Sequence, residues 1–533
     1  MDPWHNAAQT KKPWLTPIKI VLIACFLLLL LVAGFLITLI TANPTIGINY
    51  GAKANELART RQNMPADAPD NWGLISEIAA KLEAARTVVA ARHPDLPIDT
   101  FDFTFLYSAD AKPSRDTFTA DQARAVCLEW LEEFRAAGGF DELAKLPPIP
   151  YAARLYPSSG PLVLTLLPEL GHARQLARMN AARMFLAAQA GDEAQRLAAF
   201  QEMLASARLI GSQTTLIDNL VAVAINALAC SELRKEITEK PLSEQIALDL
   251  LAAMDSHKLP SAAGWFDGER FSTLDMIQRT YSDNGSGDGR FLPSAAASLG
   301  EELGSPIGGP GVTSGGSRAF NVLGLIQPSR RETEDKTNEI YDYFVKLSSM
   351  TRTERSALTG PEPTSGLDRF KILELMVPAV GKALESNDQI ASELAATRIM
   401  LALEIYRART GSYPDSLAAL APSLLPALPL DSVNDKPFGY RLLDAAADPH
   451  RRSYLLYSCG PDGVDNQGYT GAPGDRHPVT PFRATGPLDF VYNLPRPLPE
   501  APDPDAPSVP PTAAEDAANQ NVELSPAPAP EEN

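Results

Sequence analysis

The sequence predicts a mainly α-helical, exported protein: one N-terminal transmembrane helix, an ectodomain of α-helical hairpins, and a small C-terminal α+β module in which a helix packs on short antiparallel strands. Three observations carry this reading. Ile20 to Ile40 is an almost unbroken apolar run. From about Asn71 onward, apolar residues recur at three- and four-residue spacing in segments rich in Ala and Leu. Near the C-terminus, Tyr454 to Tyr457 reads as a short buried strand that runs straight into a turn crowded with Gly, Asp and Asn.

The apolar run IVLIACFLLLLLVAGFLITLI is long enough to cross the roughly 30 Å hydrocarbon core of a bilayer. Lys11, Lys12 and Lys19 precede it, and the next base is Lys53. That asymmetry places residues 1–19 in the cytoplasm and the rest of the chain across the membrane. A cleaved signal peptide would have a shorter apolar core ending at small residues. Gly34-Phe35 does not make a prepilin cleavage signal, because that glycine lies inside the apolar run and Leu39 stands where an acid is required.

The residues beyond the anchor exceed the usual size of one core, so more than one domain is expected. The net charge of -18 argues against nucleic acid as a partner. Cys25 lies in the anchor, and Cys127, Cys230 and Cys459 are scattered without a CxxC, so this is no disulfide scaffold.

The elements follow in order. GLISEIAAKLEAARTVVAAR, from Gly73, is helical. FDFTFLY, Phe101 to Tyr107, alternates like a short strand or an extended packing segment. Ala120 to Ala137 is helical, with Val126, Trp130 and Phe134 at four-residue steps. Three consecutive helices fill the stretch from about Gly171 to Ile237, punctuated by the stop-and-cap pairs Gly191-Asp192 and Gly211-Ser212. LSEQIALDLLAAM and the region from Trp265 to Tyr281 continue the theme. Residues 283–318 form a Gly/Ser/Pro-rich loop; Asp283 and Asp288 within it lack the spacing of a calcium-binding EF-hand. Helices are expected near 334–351 and 367–385. A further helix spans Asn387 to Thr410, with Asn387 as its cap, Ile390, Leu394, Leu401 and Ile405 on its buried face, and Gly411 at its end. The divisions are therefore 1–19, the membrane helix 20–40, a helical ectodomain 44–385, a C-terminal module 386–495, and a Pro-rich, acidic tail 496–533. The tail cannot bury a core and is expected to be disordered.

The turn after Tyr457 contains Gly460, Pro461, Asp462, Gly463, Asp465, Asn466 and Gly468. Oxygen side chains among glycines suit a hard cation such as Ca²⁺ rather than a transition metal. The same residues also favour turns without any ion.

Residues 387–494 resemble the C-terminal domain of the major pseudopilin of the type II secretion system. Ala402, Tyr406, Gly411, Tyr413, Pro414, Leu417 and Leu420 match one motif of that family, Pro429, Asp431, Pro437 and Tyr440 a second, and YLLYSCGPDG a third. The resemblance implies that the last loop binds Ca²⁺ through Asp462, Asp465 and Asp489, with the backbone carbonyls of Leu456 and Cys459. It implies an affinity of roughly 10⁻⁴ to 10⁻³ M. Two departures stand out: a long helical segment separates the anchor from this helix, and Ser432-Val433 replace a proline and an aromatic. The whole chain is similar to bacterial proteins anchored in the inner membrane with a periplasmic ectodomain.

No HExxH, GxSxG, Walker A or Rossmann pattern occurs. Cys459 with His450 or His477 is the one nucleophile-base combination to consider, and a small residue packed at a strand end explains Cys459 equally. The expectation is a non-enzymatic, membrane-anchored envelope scaffold with an envelope or secretion-system partner. The alternative is an envelope hydrolase with its site between the helical and C-terminal domains.

Overall fold

Helix α1 spans Pro17–Thr41, at ~1.5 Å per residue about 37 Å of helix. The computed structural model describes residues 17–41, 43–69, 71–108, 111, 118–157, 159–165, 167–257, 261–283, 285–302, 327–377, 380–471, 480–484 and 486–496. The stretch before Pro17, most of the Gly/Ser-rich loop and the tail beyond Arg496 lie outside them. Every side chain described on α1, from Lys19 to Gly34, is exposed. Ile20, Leu22, Phe26, Leu29 and Leu31 are each more than half exposed.

The chain is mostly helical, with two small antiparallel sheets. After α1 come α2 (Tyr50–Arg61), α3 (Trp72–Arg92), α4 (Ala120–Ala136), α5 (Gly139–Leu143), α6 (Pro168–Ala190), α7 (Glu193–Gly211), α8 (Leu216–Glu239) and α9 (Glu244–Ser256). Then follow α10 (Asp267–Thr280), α11 (Pro293–Glu302), α12 (Arg330–Ser348), α13 (Arg352–Ser356), α14 (Lys371–Met376) and α15 (Val380–Thr410).

Local chemistry sets the hairpins. Gly191 takes a left-handed φ of 73° and closes α6, and Asp192 caps α7 by accepting from the Gln195 amide at 2.9 Å. Thr215 and Asp218 form a reciprocal capping box at the start of α8. Helix α8 is also long and apolar enough to cross a membrane. Yet it is mostly buried among α6, α7 and α15 and carries buried Asp218, Asn226, Glu232 and Arg234, so it is a core helix.

Three expectations are corrected. Phe101 to Tyr107 is not a strand: Asp102 accepts from the Thr104 amide at 2.7 Å and opens a 3₁₀ turn at Phe103–Leu106. Phe101, Phe103 and Phe105 are all buried, so the alternation has no outward face. Part of the 283–318 segment is ordered by Tyr281 pairing with Phe291, and Asp283 accepts from Arg330 at 3.2 Å. Finally, α15 begins at Val380, so Asn387 lies inside it and caps nothing.

Helix α15 decides the architecture. Met400, Leu401, Ala402, Leu403 and Ile405 are all fully buried, so it has no solvent side over this stretch. It packs against α8 and α9 on one side and against the first strand of the C-terminal module on another. One apolar core therefore runs from Trp72 through α15 to Tyr492. A second core around Trp265, Phe266, Tyr341 and Phe344 joins α10 to α12.

Candidate functional site

The C-terminal module is built on α15. Strands β1 (Leu430–Asp431) and β2 (Lys436–Pro437) form one hairpin. Strands β3 (Gly439–Leu442), β4 (Tyr454–Ser458) and β5 (Phe490–Val491) form a three-stranded antiparallel sheet with β4 in the centre. All five residues of β4 are buried, as the apolar run Tyr454 to Tyr457 predicts. Gly439 stands against the Tyr457 ring: a Cβ there would come within 2.2 Å of it.

Asp431 is the polar centre of the module. It is fully buried. Ser392 of α15 donates to its Oδ1 at 2.5 Å, and the Val433 amide donates to the same oxygen at 3.0 Å. Ser458 of β4 and the Asn434 side chain donate to Oδ2. Because Ser392 gives its proton to Asp431, the Tyr492 hydroxyl donates to Ser392, at 2.6 Å. Burial raises the carboxyl pKa, and the two serines pull it back down. One side chain thus ties α15, β1, β4 and the segment after β5 together. Asp431 falls within a quoted motif, but its partners were not foreseen.

The predicted cation loop is described in full. Asp462 accepts from the Val464 amide at 3.0 Å. Asp465 accepts from the Gln467 amide and from the Tyr457 hydroxyl, both at 2.8 Å. Asp489 is buried, and its Oδ2 accepts from the amides of Asn466 at 3.0 Å and Gly468 at 2.7 Å. Burial raises the Asp489 pKa against those bonds. The Leu456 carbonyl accepts from the Tyr492 amide at 2.9 Å and so lies in the strand ladder, not in the loop. Cys459 is buried, and burial pushes its thiol up to about 12, which removes it as a nucleophile near neutral pH. His477 lies outside the described residues.

Asp462 and Asp465 accept from amides of their own turn, Asp489 accepts from the amides of Asn466 and Gly468 across the loop, and among the described residues no group of three acid, histidine or cysteine side chains is placed to hold a metal ion. A cation is nevertheless present: Lys436 Nζ donates to the Gly463 carbonyl at 2.8 Å and ties β2 to the loop. That lysine was not singled out from the sequence.

The module is locked to the helical body by buried polar groups. Glu404 of α15 is fully buried; it accepts from the Tyr413 hydroxyl at 2.6 Å and from the Leu242 amide at 3.0 Å. Arg234 of α8 donates to Thr397 at 3.0 Å and lies 5.3 Å from the centre of the Tyr492 ring.

Comparison of the chain with family models, with curated proteins and with solved structures finds no match.

Proposed function

We propose that the chain is a membrane-tethered scaffold of the bacterial cell envelope. Its N-terminus lies in the cytoplasm, and its ectodomain is held outside the inner membrane to engage an envelope or secretion-system protein. The observation that carries this reading is α1, whose apolar side chains from Ile20 to Val32 are exposed and meet no cover from the rest of the described chain. A contiguous apolar surface of that size calls for lipid. The resemblance of residues 387–494 to the pseudopilin motifs supports the envelope assignment.

The interior chemistry supports a scaffold over a hydrolase. The buried acids at the junction of helical body and module are held by structural donors: Asp431 by serines, Glu404 by Tyr413 and Leu242. On the module, Leu430, Val464 and Tyr469 are exposed apolar side chains available to a partner. No calcium ion is required by this reading.

The test is membrane partition of the full chain. Wild type should stay in the pellet through alkaline carbonate extraction, with the ectodomain open to protease from the periplasmic side only. Leu28→Arg with Leu29→Arg should release it, since each arginine costs about 3 kcal/mol at the bilayer centre. Recovery of wild type in the carbonate supernatant would end the proposal.

A further inference from the structure

Where the chain leaves α1, an open groove of about 460 Å³ lies between α11 and the linker that follows the anchor. Asn43, Pro44 and Ile46 form one wall, and Ser294, Ser298 and Leu299 of α11 form the other. Arg279 of α10 also lines it. Every polar side chain in this lining can donate hydrogen bonds, and no carboxylate lines the groove, in a chain of net charge -18. Arg279 is held in place: Asp275 accepts from its Nε at 2.9 Å and the Gly160 carbonyl accepts from Nη2 at 2.5 Å, which leaves the Nη1 protons out of both bonds. Ser294 and Ser298 stand one turn apart on the exposed face of α11. Donors of this kind around a guanidinium suit a phosphate.

The place of the groove decides what it meets, given the reading of α1 as a membrane helix proposed above. The apolar run Ile20 to Ile40 makes about 31 Å of helix at ~1.5 Å per residue, which fills the ~30 Å hydrocarbon core. Thr41 therefore stands at the edge of the core, and Asn43 and Pro44, at most about 10 Å further along the chain, fall at the level of the lipid headgroups. Helix α11 lies against α1. The linker is pinned to the body: the Gln278 side chain of α10 accepts from the Ile48 amide at 3.1 Å and donates to the Ile48 carbonyl at 2.8 Å, and Arg330 donates to the Thr45 carbonyl at 3.5 Å. Ile46, more than half exposed, adds an apolar lip. We propose that the groove seats the headgroup phosphate of a phospholipid from the periplasmic leaflet, with Arg279 Nη1 and the hydroxyls of Ser294 and Ser298 as donors and Ile46 against the glycerol. One bound lipid then fixes how the ectodomain stands on the bilayer.

The test uses the full chain reconstituted in phosphatidylglycerol vesicles doped with a phospholipid that carries a diazirine on its headgroup. After illumination, labelled peptides are mapped by mass spectrometry, and lipid adducts are expected on 43–46 and 293–299. Ser294→Asp with Ser298→Asp sets negative charge against the phosphate and should lower the labelling of 43–46 at least about tenfold, because like charges in contact repel strongly. Both positions are exposed, and an aspartate at 294 suits the first turn of α11, so the variant should keep the wild-type melting temperature. Ser298→Asp alone should act in the same direction by a smaller factor. Labelling of 43–46 that ignores these aspartates, or that is no stronger than on α9, would overturn the proposal. So would displacement of the lipid by excess inorganic phosphate, which would assign the groove to a soluble anion. Carbonate extraction of the same vesicles separates this site from the tether: a pelleted chain without the label sinks the site alone, and a released chain sinks both.

Discussion

Arg496 grips Glu239 twice: its backbone amide donates to Oε1 at 2.9 Å and its guanidinium to Oε2 at 2.6 Å. The same guanidinium reaches Glu232 at 2.9 Å and lies 4.7 Å from the centre of the Phe185 ring. Glu232, Glu236 and Glu239 share one face of α8 at helical spacing, and Glu232 and Glu236 are buried. The C-terminal module therefore ends in a clasp on the helical body. Arg496→Ala leaves buried acids uncompensated and should cost about 3 kcal/mol in chemical denaturation. A loss under ~0.5 kcal/mol would reduce the clasp to an ordinary surface contact.

Glu236 gives the clasp a pH dependence. Neither of its carboxylate oxygens has a hydrogen-bond partner among the described residues, and burial raises its pKa to about 8 despite Arg496 and Arg196. An acid raised on folding contributes stability that is full below its unfolded pKa and is lost as pH rises through the folded value. Stability should decline from about pH 4.5 to about pH 8 and level off above that, and Glu236→Gln should flatten the decline. Denaturant midpoints measured across this range check it; parallel curves for the two proteins would contradict it.

Asp431 should be the most sensitive polar position in the module. Asp431→Ala strands the hydroxyls of Ser392 and Ser458 in a dry site, at about 2–4 kcal/mol. Asp431→Asn retains acceptor capacity on one side and should cost less. Hydrogen exchange at the β4 amides is the local readout, and equal protection in wild type and the alanine variant would refute the hub.

Lys436 predicts how the loop treats calcium. With an ammonium on the Gly463 carbonyl and the acids turned onto amides, millimolar Ca²⁺ should leave the melting temperature of the full chain unchanged. Lys436→Gln should lower it by a degree or two, in line with the loss of one solvent-exposed charged hydrogen bond worth about 0.5–1 kcal/mol. A calcium-dependent rise in wild type would restore the ion to the loop.

Much of the helical body was legible because its punctuation is local. Gly191 and Asp192 act within a turn of their own positions, and β4 is announced by four consecutive apolar residues, whereas at the second break Ser212 closes α7 and the cap of α8 is Thr215 rather than Ser212. The start of α15 was missed although Pro378, two positions ahead of Val380, is a recognisable helix-start signal. The candidate site was less legible because its partners are distant in sequence. Nothing near Arg496 in the chain hints at α8, and a lone base before a proline-rich stretch reads as solvated. Asp462, Asp465 and Asp489 were taken from the pseudopilin resemblance, and a motif match does not say whether a carboxylate faces an ion or backbone amides.

The enclosure of α15 bears on how the protein can be handled and how it could have been assembled. A fragment cut at residue 386 would keep its strands but strip away α8 and α9, leaving Arg398 and Glu393 without Asp255 and Arg234 and baring a greasy flank to water. Such a piece should precipitate or self-associate rather than behave as a detachable head. The sheet-bearing end is a keystone: it was either fitted to this body or grew with it, and it does not travel alone.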